Sequence, residues 1–387
     1  MANVITGMIP ELYEALFQHS RELQGFIPAV ARNSNGESAA VGQTIRVPKG
    51  VAGAKASISP GQLPPNTGDS TVDYVDMTIQ KAEAVPIRWN GEEQKAIGHA
   101  GQSYNAVLAN QFFDAFRKLS NQIELDCANA VKAGASRAYG TAGTAPFGTA
   151  SDLTDIANIR KILEDNGAPM GNLELVLNSS AMVNLRGKQS VLFKVNEAGS
   201  SDMLRNGMTD RLQGFALRQS GQIGLHTKGT GSAYELNDAS SALGDVVIAA
   251  DTGTGTILAG DIVTLVGDTN KYVVNSALSG GSFTIGNPGL RVDGIAENAV
   301  ITVGNSYTGN YAFDKNAVQL ITRAPALVSM GGKAADSAID RMMVTDPFSG
   351  LMFEVSVYSE YRQVHLEIGL AWGVNVIQSE HIATLLG

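Results

Sequence analysis

The feature that most constrains this chain is the run from Gln102 to Lys132, which contains neither proline nor glycine and lies between Gly101 and Gly134. Apolar residues recur in it at Tyr104, Leu108, Phe112, Phe116, Leu119, Ile123, Cys127 and Val131, the four-and-three stepping of one α-helical face. The spacing predicts a single amphipathic helix ~46 Å long at about 1.5 Å per residue, where a typical helix has only ~11–12 residues. Ser103 is placed to cap its start and Gly134 to close its end.

A helix of that length needs an apolar partner of similar length. Val364, Leu366, Ile368, Leu370, Trp372, Val374 and Val376 alternate without a break against Gln363, His365, Glu367, Gly369, Ala371, Gly373 and Asn375. Strict period two predicts a half-buried strand, about 44 Å long over thirteen residues at ~3.4 Å each. Burying its seven large side chains is worth on the order of 10–20 kcal/mol before chain entropy is subtracted. The strand is therefore expected to lie along the helix, with Phe112, Phe116, Leu119 and Ile123 against Leu366, Ile368, Leu370 and Trp372 as a spine-to-sheet core.

The other segments arrange themselves around that pair. Residues 1–34 read as an N-terminal arm, with a short helix over Pro10–Gln24 (Leu12, Leu16 and Leu23 apolar) and then an extended stretch with Phe26, Ile27, Pro28 and Val30. Residues 35–90 read as an extended β-hairpin around the Pro/Gly-rich tip SPGQLPPNTGD, with Val75, Met77, Ile79, Val85, Ile87 and Trp89 on one parity, interrupted by Lys81 and Glu83. Such a hairpin has too few large side chains for a core of its own, and isolated hairpins are marginal in water. Arm and hairpin are expected to find burial on a neighbouring subunit, through Phe17, Arg46, Val47, Met77, Ile79, Lys81, Glu83 and Ile87. The spine region covers 91–140. Residues 141–226 read as the first part of a compact α+β domain: a helix capped by Ser151 or Asp152 and stopped at Gly167, a Leu173–Leu177 strand, and a helix from Ser179. From 227 to 309 short β-rich runs alternate with Gly/Asp/Asn turns and no helical period is present, which predicts an inserted all-β domain. Residues 310–340 return to the α+β domain, and 341–387 supply the final strands.

Composition removes several function classes. The formal net charge of -9 and a pI near 5.1 do not suit a direct nucleic-acid reader, which presents a basic face. Charged residues are 17% of the chain against roughly 25% in ordinary soluble proteins, as expected of a glycine-rich β protein or of one whose surface is covered by other subunits. The single cysteine, Cys127, falls on the apolar stripe and reads as a small hydrophobe. No signal-peptide pattern and no run of 18 apolar residues is present, so the expectation is a chain kept in a reducing cytoplasm without a membrane span, where the Asn178 sequon carries no weight. The five histidines are scattered without zinc-like spacing. His365 and Glu367 have an H-x-E form with no P-C-x-x-C after it, and GTGTILAG lacks the helix and the Lys-Ser/Thr of a phosphate loop. No enzyme, cofactor or metal site is expected.

Several stretches, in this order, resemble the major capsid protein of tailed bacteriophages, and within that group the coat-protein family typified by phage P22, whose members have the HK97-type fold with an inserted β domain. VGQTIRVP resembles the start of the family's extended loop, and VDMTIQKAEAVPIRWNGEEQKAI the return strand leading to the spine helix. RLQGFALRQSGQIGLHTKG resembles the G-F-x-x-x-x-S strand before the insertion, GNYAFDKNAVQLITRAPAL the re-entry, and SGLMFEVSVYSEYRQVHLEIGLAWGVNVIQSEHIATLL the C-terminal sheet. The glycine-rich loops of the insertion match that family poorly. The resemblance implies an α+β, HK97-like subunit that assembles with copies of itself as pentamers and hexamers of an icosahedral shell. It also implies a scaffolding protein, a portal protein and packaged double-stranded DNA as partners, the DNA without sequence-specific contact, with assembly in the host bacterial cytoplasm and residence in the virion. Some relatives of that fold crosslink their shells through Lys and Asn side chains. Lys49, Lys55 and Lys81 lie in or beside the hairpin, with nothing marking one as reactive. Two other readings are an encapsulin-like compartment shell, which a neighbouring gene for enzyme cargo would favour, and a monomeric β-rich binding module, which would form no shells.

Overall fold

The computed structural model describes residues 22–49, 60–61, 73–99, 104–189, 211–239, 241–330, 333–334, 336–346 and 349–387. Its longest helix, Tyr104–Gly134, runs for 31 residues; Ser103, the expected cap, lies outside the described residues. Facing it is a six-stranded sheet in the spatial order Ala31–Ala39, Val318–Pro325, Gln363–Val376, Met352–Glu360 and Ala338–Thr345, with Lys81–Asn90 also paired to Gln363–Val376. The strand Gln363–Val376 is the long axis of this sheet. Along one side it bonds first to the 354–360 stretch and then to 318–323, and along the other to 81–90.

A strand hydrogen-bonded on both sides must have cover on both faces to be dry, and its two parities meet that need differently. Leu366, Ile368, Leu370, Trp372 and Val374 share one core with Phe112, Phe116, Leu119, Ile123, Cys127 and Val131 of the helix. The rings of Phe116 and Phe353 meet edge-on with centroids 5.2 Å apart. At its wet margin the core is tied by Asp126, which accepts from Trp372 Nε1 and from Lys81 Nζ, both at 2.8 Å. On the opposite face the small residues Gly369, Ala371 and Gly373 leave a shallow bed. Met77 and Ile79 lie there with Ala39, Ile321 and Ala371.

That second layer corrects the expectation that Met77, Ile79 and Ile87 serve a subunit contact. Met77 and Ile79 are 0% and 1% exposed within their own chain, and Ile87 is 6% exposed in the spine core. The single long hairpin read from the sequence is two elements. Thr44–Lys49 and Asp73–Thr78 form a separate two-stranded ribbon; Ile79 still exchanges backbone hydrogen bonds with Gly42 and Gln43, and from Gln80, whose N–H donates to Trp372 O, the chain joins the main sheet. The interruption at Lys81 and Glu83 marks this change of layer. Gly373 makes the layer possible: a Cβ there would stand 2.1 Å from the carbonyl oxygen of Thr78. Gly373→Ala is expected to lower stability by roughly 1–3 kcal/mol through overpacking against backbone, read as a lower urea midpoint at unchanged m-value.

Gly134 also has a different reason from the one its position suggests. It is the last helical residue, and a Cβ on it would lie 2.3 Å from Val376 Cγ2. Close approach of helix and strand, rather than a left-handed turn, requires glycine there.

Beyond the spine, a second sheet places Arg137–Gly140, Ile382–Leu386, Tyr307–Asp314, Leu173–Leu177 and Phe215–Gln219 side by side. Helices Thr154–Asp165 and Ser179–Lys188 share a core with it that includes Ile156, Ile159, Leu163, Leu175, Leu185 and Phe215. The first of these helices ends at Gly167, whose φ of 76° is the left-handed stop. Asp152 takes the backbone N–H of Thr154 at its start. The second is capped by Asn178, which accepts from Ala181 N at 2.7 Å.

Between 234 and 303, six strands close on themselves. Ile262–Leu265 pairs Val300–Val303, which pairs Tyr234–Leu236, then Val247–Asp251, Ser282–Ile285 and Lys271–Ser279, and the last pairs back to Ile262–Leu265. This is a six-stranded barrel with no free edge between its strands, and its core of Tyr234, Leu236, Ile248, Val263, Tyr272, Phe283 and Ile301 is separate from the spine core. The chain passes between body and barrel where Leu225–His226 pairs Tyr307–Thr308. His226 Nε2 lies 2.8 Å from Asp261 Oδ1, and Tyr307 OH donates to Gly260 O at 2.7 Å, so both crossings are held to one barrel loop.

Candidate functional site

Among the described residues no group of three or more His, Cys, Asp or Glu side chains is placed to hold a metal ion. No described helix is long and apolar enough to cross a membrane. Of the histidines singled out in the sequence, His365 sits edge-on to Tyr358 with its Nδ1 3.9 Å from Glu360, and His226 is in the barrel joint. Two segments lie across the spine-and-sheet layer, the ribbon and the N-terminal segment.

The ribbon is built from alternating residues. Ile45 and Val47 turn toward the Met77–Ile79 bed and are half-buried, whereas Thr44, Arg46, Pro48, Tyr74 and Asp76 face solvent. Arg46 pairs across the ribbon with Asp76 (Nε to Oδ1, 3.0 Å) and its guanidinium carbon stands 4.1 Å from the ring centre of Tyr74. With 65% of the Arg46 side chain and 49% of Tyr74 exposed, charge and aromatic surface lie together on a projecting element. Glu83 is exposed at the sheet margin. Lys81 is committed to Asp126 within the chain and is not a free contact. Phe17 and Lys55 lie outside the described residues, as do residues 10–21 of the expected Pro10–Gln24 helix; Glu22–Gln24 are not helical.

The N-terminal segment is held to the spine by residues that hydrophobic periodicity gave no reason to single out. Glu124 is fully buried, and its carboxylate accepts from the backbone N–H groups of Gly25 (2.6 Å), Phe26 (2.8 Å) and Ile27 (2.9 Å) and from Ser220 Oγ (2.7 Å). A side chain of the long helix thereby caps the short helix Phe26–Ala29, whose own flanking Gly25 has no side chain to offer. Burial pushes the Glu124 carboxyl upward in pKa, against the pull of those donors. The signal available in the sequence was Ser120, Glu124 and Ala128, four apart, a polar and small stripe beside the apolar one. One turn earlier, Glu22 accepts from Arg117 and Asn121. Then Ala31–Ala39 pairs in parallel with Val318–Pro325.

The Arg117 hydrogen bond holds the Glu22 carboxyl at about 2, below its ordinary 4.5. A carboxyl whose pKa is lowered by folding stabilises at full strength above its unfolded pKa and loses that contribution as pH falls toward the folded value. The stability difference between the native chain and Arg117→Ala, read by urea unfolding, is therefore expected to be constant above about pH 4.5 and to shrink as pH falls from 4.5 toward 2. A difference that stays constant down to about pH 2.5 would remove Glu22 from this role.

No protein-family model matches the chain, and no curated protein matches it. Among solved structures, the capsid of the cyanophage P-SCSP1u is similar at a TM-score of 0.49 and 10% identity, over 95% of this chain and 88% of that one. The capsid of Myoviridae phage XM1 is similar at 0.44 and 12%, over 95% and 93%, and a virus-like particle from Pyrococcus furiosus at 0.40 and 8%, over 97% and 96%. At 8–12% identity these are likenesses in the path of the chain, and no residue's role is carried across from them.

Proposed function

We propose that this chain is a major capsid protein that self-assembles, with a scaffolding protein, into the icosahedral shell enclosing a bacteriophage's double-stranded DNA. The observation that carries this reading is the ribbon: Ile45 and Val47 turn toward the Met77–Ile79 bed on the far face of the sheet, while its outer face presents Arg46, Tyr74 and Asp76 to solvent, with 65% and 40% of the Arg46 and Asp76 side chains and 49% of Tyr74 exposed. A two-stranded ribbon is marginal alone, and a second copy packed on its outer face buries surface that its own chain leaves exposed. Repeated around a ring, such a contact is heterologous, the head-to-tail kind that closes pentamers and hexamers. A negative net charge suits a wall that encloses DNA without trapping it. The portal protein as partner, assembly in the host bacterial cytoplasm and residence in the virion follow from this reading.

Electron microscopy of the chain expressed with and without its candidate scaffold gene tests it. Closed shells, uniform only with that partner, are the expected result. A monodisperse monomer under both conditions would overturn it in favour of a β-rich binding module.

A further inference from the structure

A cavity of about 360 Å³ opens where the barrel meets the body, lined among others by Arg137, Asn158, Lys161 and Asp165 from the body and Asn270 and Lys271 from the barrel. It lies at the seam itself, since Arg137 and Ala138 pair with Tyr272 and Lys271. The Arg137 side chain is 7% exposed. Its Nη1 donates to Asn270 Oδ1 at 3.2 Å, and its Nη2 to Asn166 Oδ1 at 2.9 Å and to Ile162 O at 3.4 Å. Each of those acceptors is neutral. The nearest carboxylate, Asp165, stands 3.9 Å away and is itself 39% exposed, and the buried Arg137 Nε has no partner. Lys271 Nζ donates to Gly140 O, another neutral acceptor. Lys161 is exposed at the rim.

Three cations thus face one cavity against one loosely placed carboxylate, in a chain whose net charge is -9. A buried guanidinium without a close counter-charge is costly, and an uncompensated donor adds to the cost. Burial, the largest influence, and the charge of nearby Arg291 depress the Arg137 pKa, while Asp165 and Asp268 pull it back upward.

We propose that this cavity binds an oxyanion of the phosphate class, held by Arg137 and Lys161 from the body and Lys271 from the barrel, and that its occupancy ties the barrel to the body. An anion seated there takes charge-assisted hydrogen bonds from both sides of the seam, so it binds more tightly to the docked arrangement than to any with the barrel displaced, and stabilises it by mass action. The site is independent of the ribbon and of shell formation.

The test is titration of the full chain with inorganic phosphate against sodium chloride at matched ionic strength, following thermal unfolding and the heat of binding. Saturable binding at one site per chain is expected, with a rise in the unfolding temperature that chloride does not produce. Lys161→Ala, a rim substitution with no packing role, should weaken the phosphate affinity on the order of tenfold, the worth of one charge-assisted hydrogen bond. Asp165→Asn should strengthen it by removing the opposing charge. A site with no anion to bind gives no saturation by phosphate, and that result overturns the proposal. So does stabilisation that Lys161→Ala and Lys271→Ala together leave unchanged, because it is then the general effect of an excluded salt. If Lys271→Ala fails to fold, the opposite shifts from Lys161→Ala and Asp165→Asn decide alone; affinity unmoved by either overturns the site.

Discussion

Leu366→Asp is expected to yield no folded subunit. Leu366 is 3% exposed in the long strand, with Ile87 opposite it on one neighbouring strand and Val357 on the other, and all three belong to the spine core. A carboxylate there is set among hydrocarbon side chains, and the indole N–H groups of Trp89 and Trp372 in the same core are already given to Gln111 and Asp126. It would either stay charged in apolar surroundings or take up a proton and still lack a partner, at a cost above about 5 kcal/mol. That approaches the whole stability of an ordinary domain, ~5–15 kcal/mol. Expression should give insoluble chain, whereas Leu366→Ala, which costs roughly 2–5 kcal/mol as a cavity, should remain folded with a lower denaturant midpoint. A soluble Leu366→Asp chain with native far-ultraviolet circular dichroism would show that strand and helix do not pack as described.

Arg46→Glu is expected to do the reverse, sparing the subunit and stopping assembly. The Arg46–Asp76 pair is exposed on both sides, with 65% and 40% of the side chains in solvent, and such pairs contribute about 0–1 kcal/mol. The monomer's unfolding midpoint should therefore barely move. In a shell the same substitution recurs at every copy of the contact. A penalty of only ~1.4 kcal/mol per contact raises the concentration needed for assembly about tenfold, so shells should be absent where the native chain forms them. Lys81→Glu separates the two effects. Its partner Asp126 also holds Trp372, so that substitution should weaken the monomer itself. Normal shells from Arg46→Glu at native yield would count against the ribbon as an assembly contact.

The two long elements were legible because periodicity over many residues has few alternative explanations. The 3.6-residue stripe from Leu108 to Val131 and the two-residue alternation from Val364 to Val376 each state which face is apolar, and the described structure brings those faces into one core. The β texture after residue 227 was legible for the same reason, since short apolar runs broken by Gly and Asp turns admit no helix. Closure of its six strands into a barrel was not, because pairing partners are set by register between distant segments and no local residue encodes them.

What tertiary structure alone decided were the places where one layer meets another. Met77 and Ile79 have the same parity as Ile87 and Trp89, yet the first pair lies on the far face of the sheet and the second on the spine face. The difference comes from the bare backbone at Gly373, which gives the ribbon's base somewhere to lie. Glu124 reads in sequence as one more polar residue of a helix, and it became the cap of a helix 98 residues away because the fold brought three unpaired N–H groups to it. A sequence states how much apolar surface each segment must hide. Which unpaired backbone groups and which glycine gaps will face one another is set only when the segments meet, and there the geometry of contact decides.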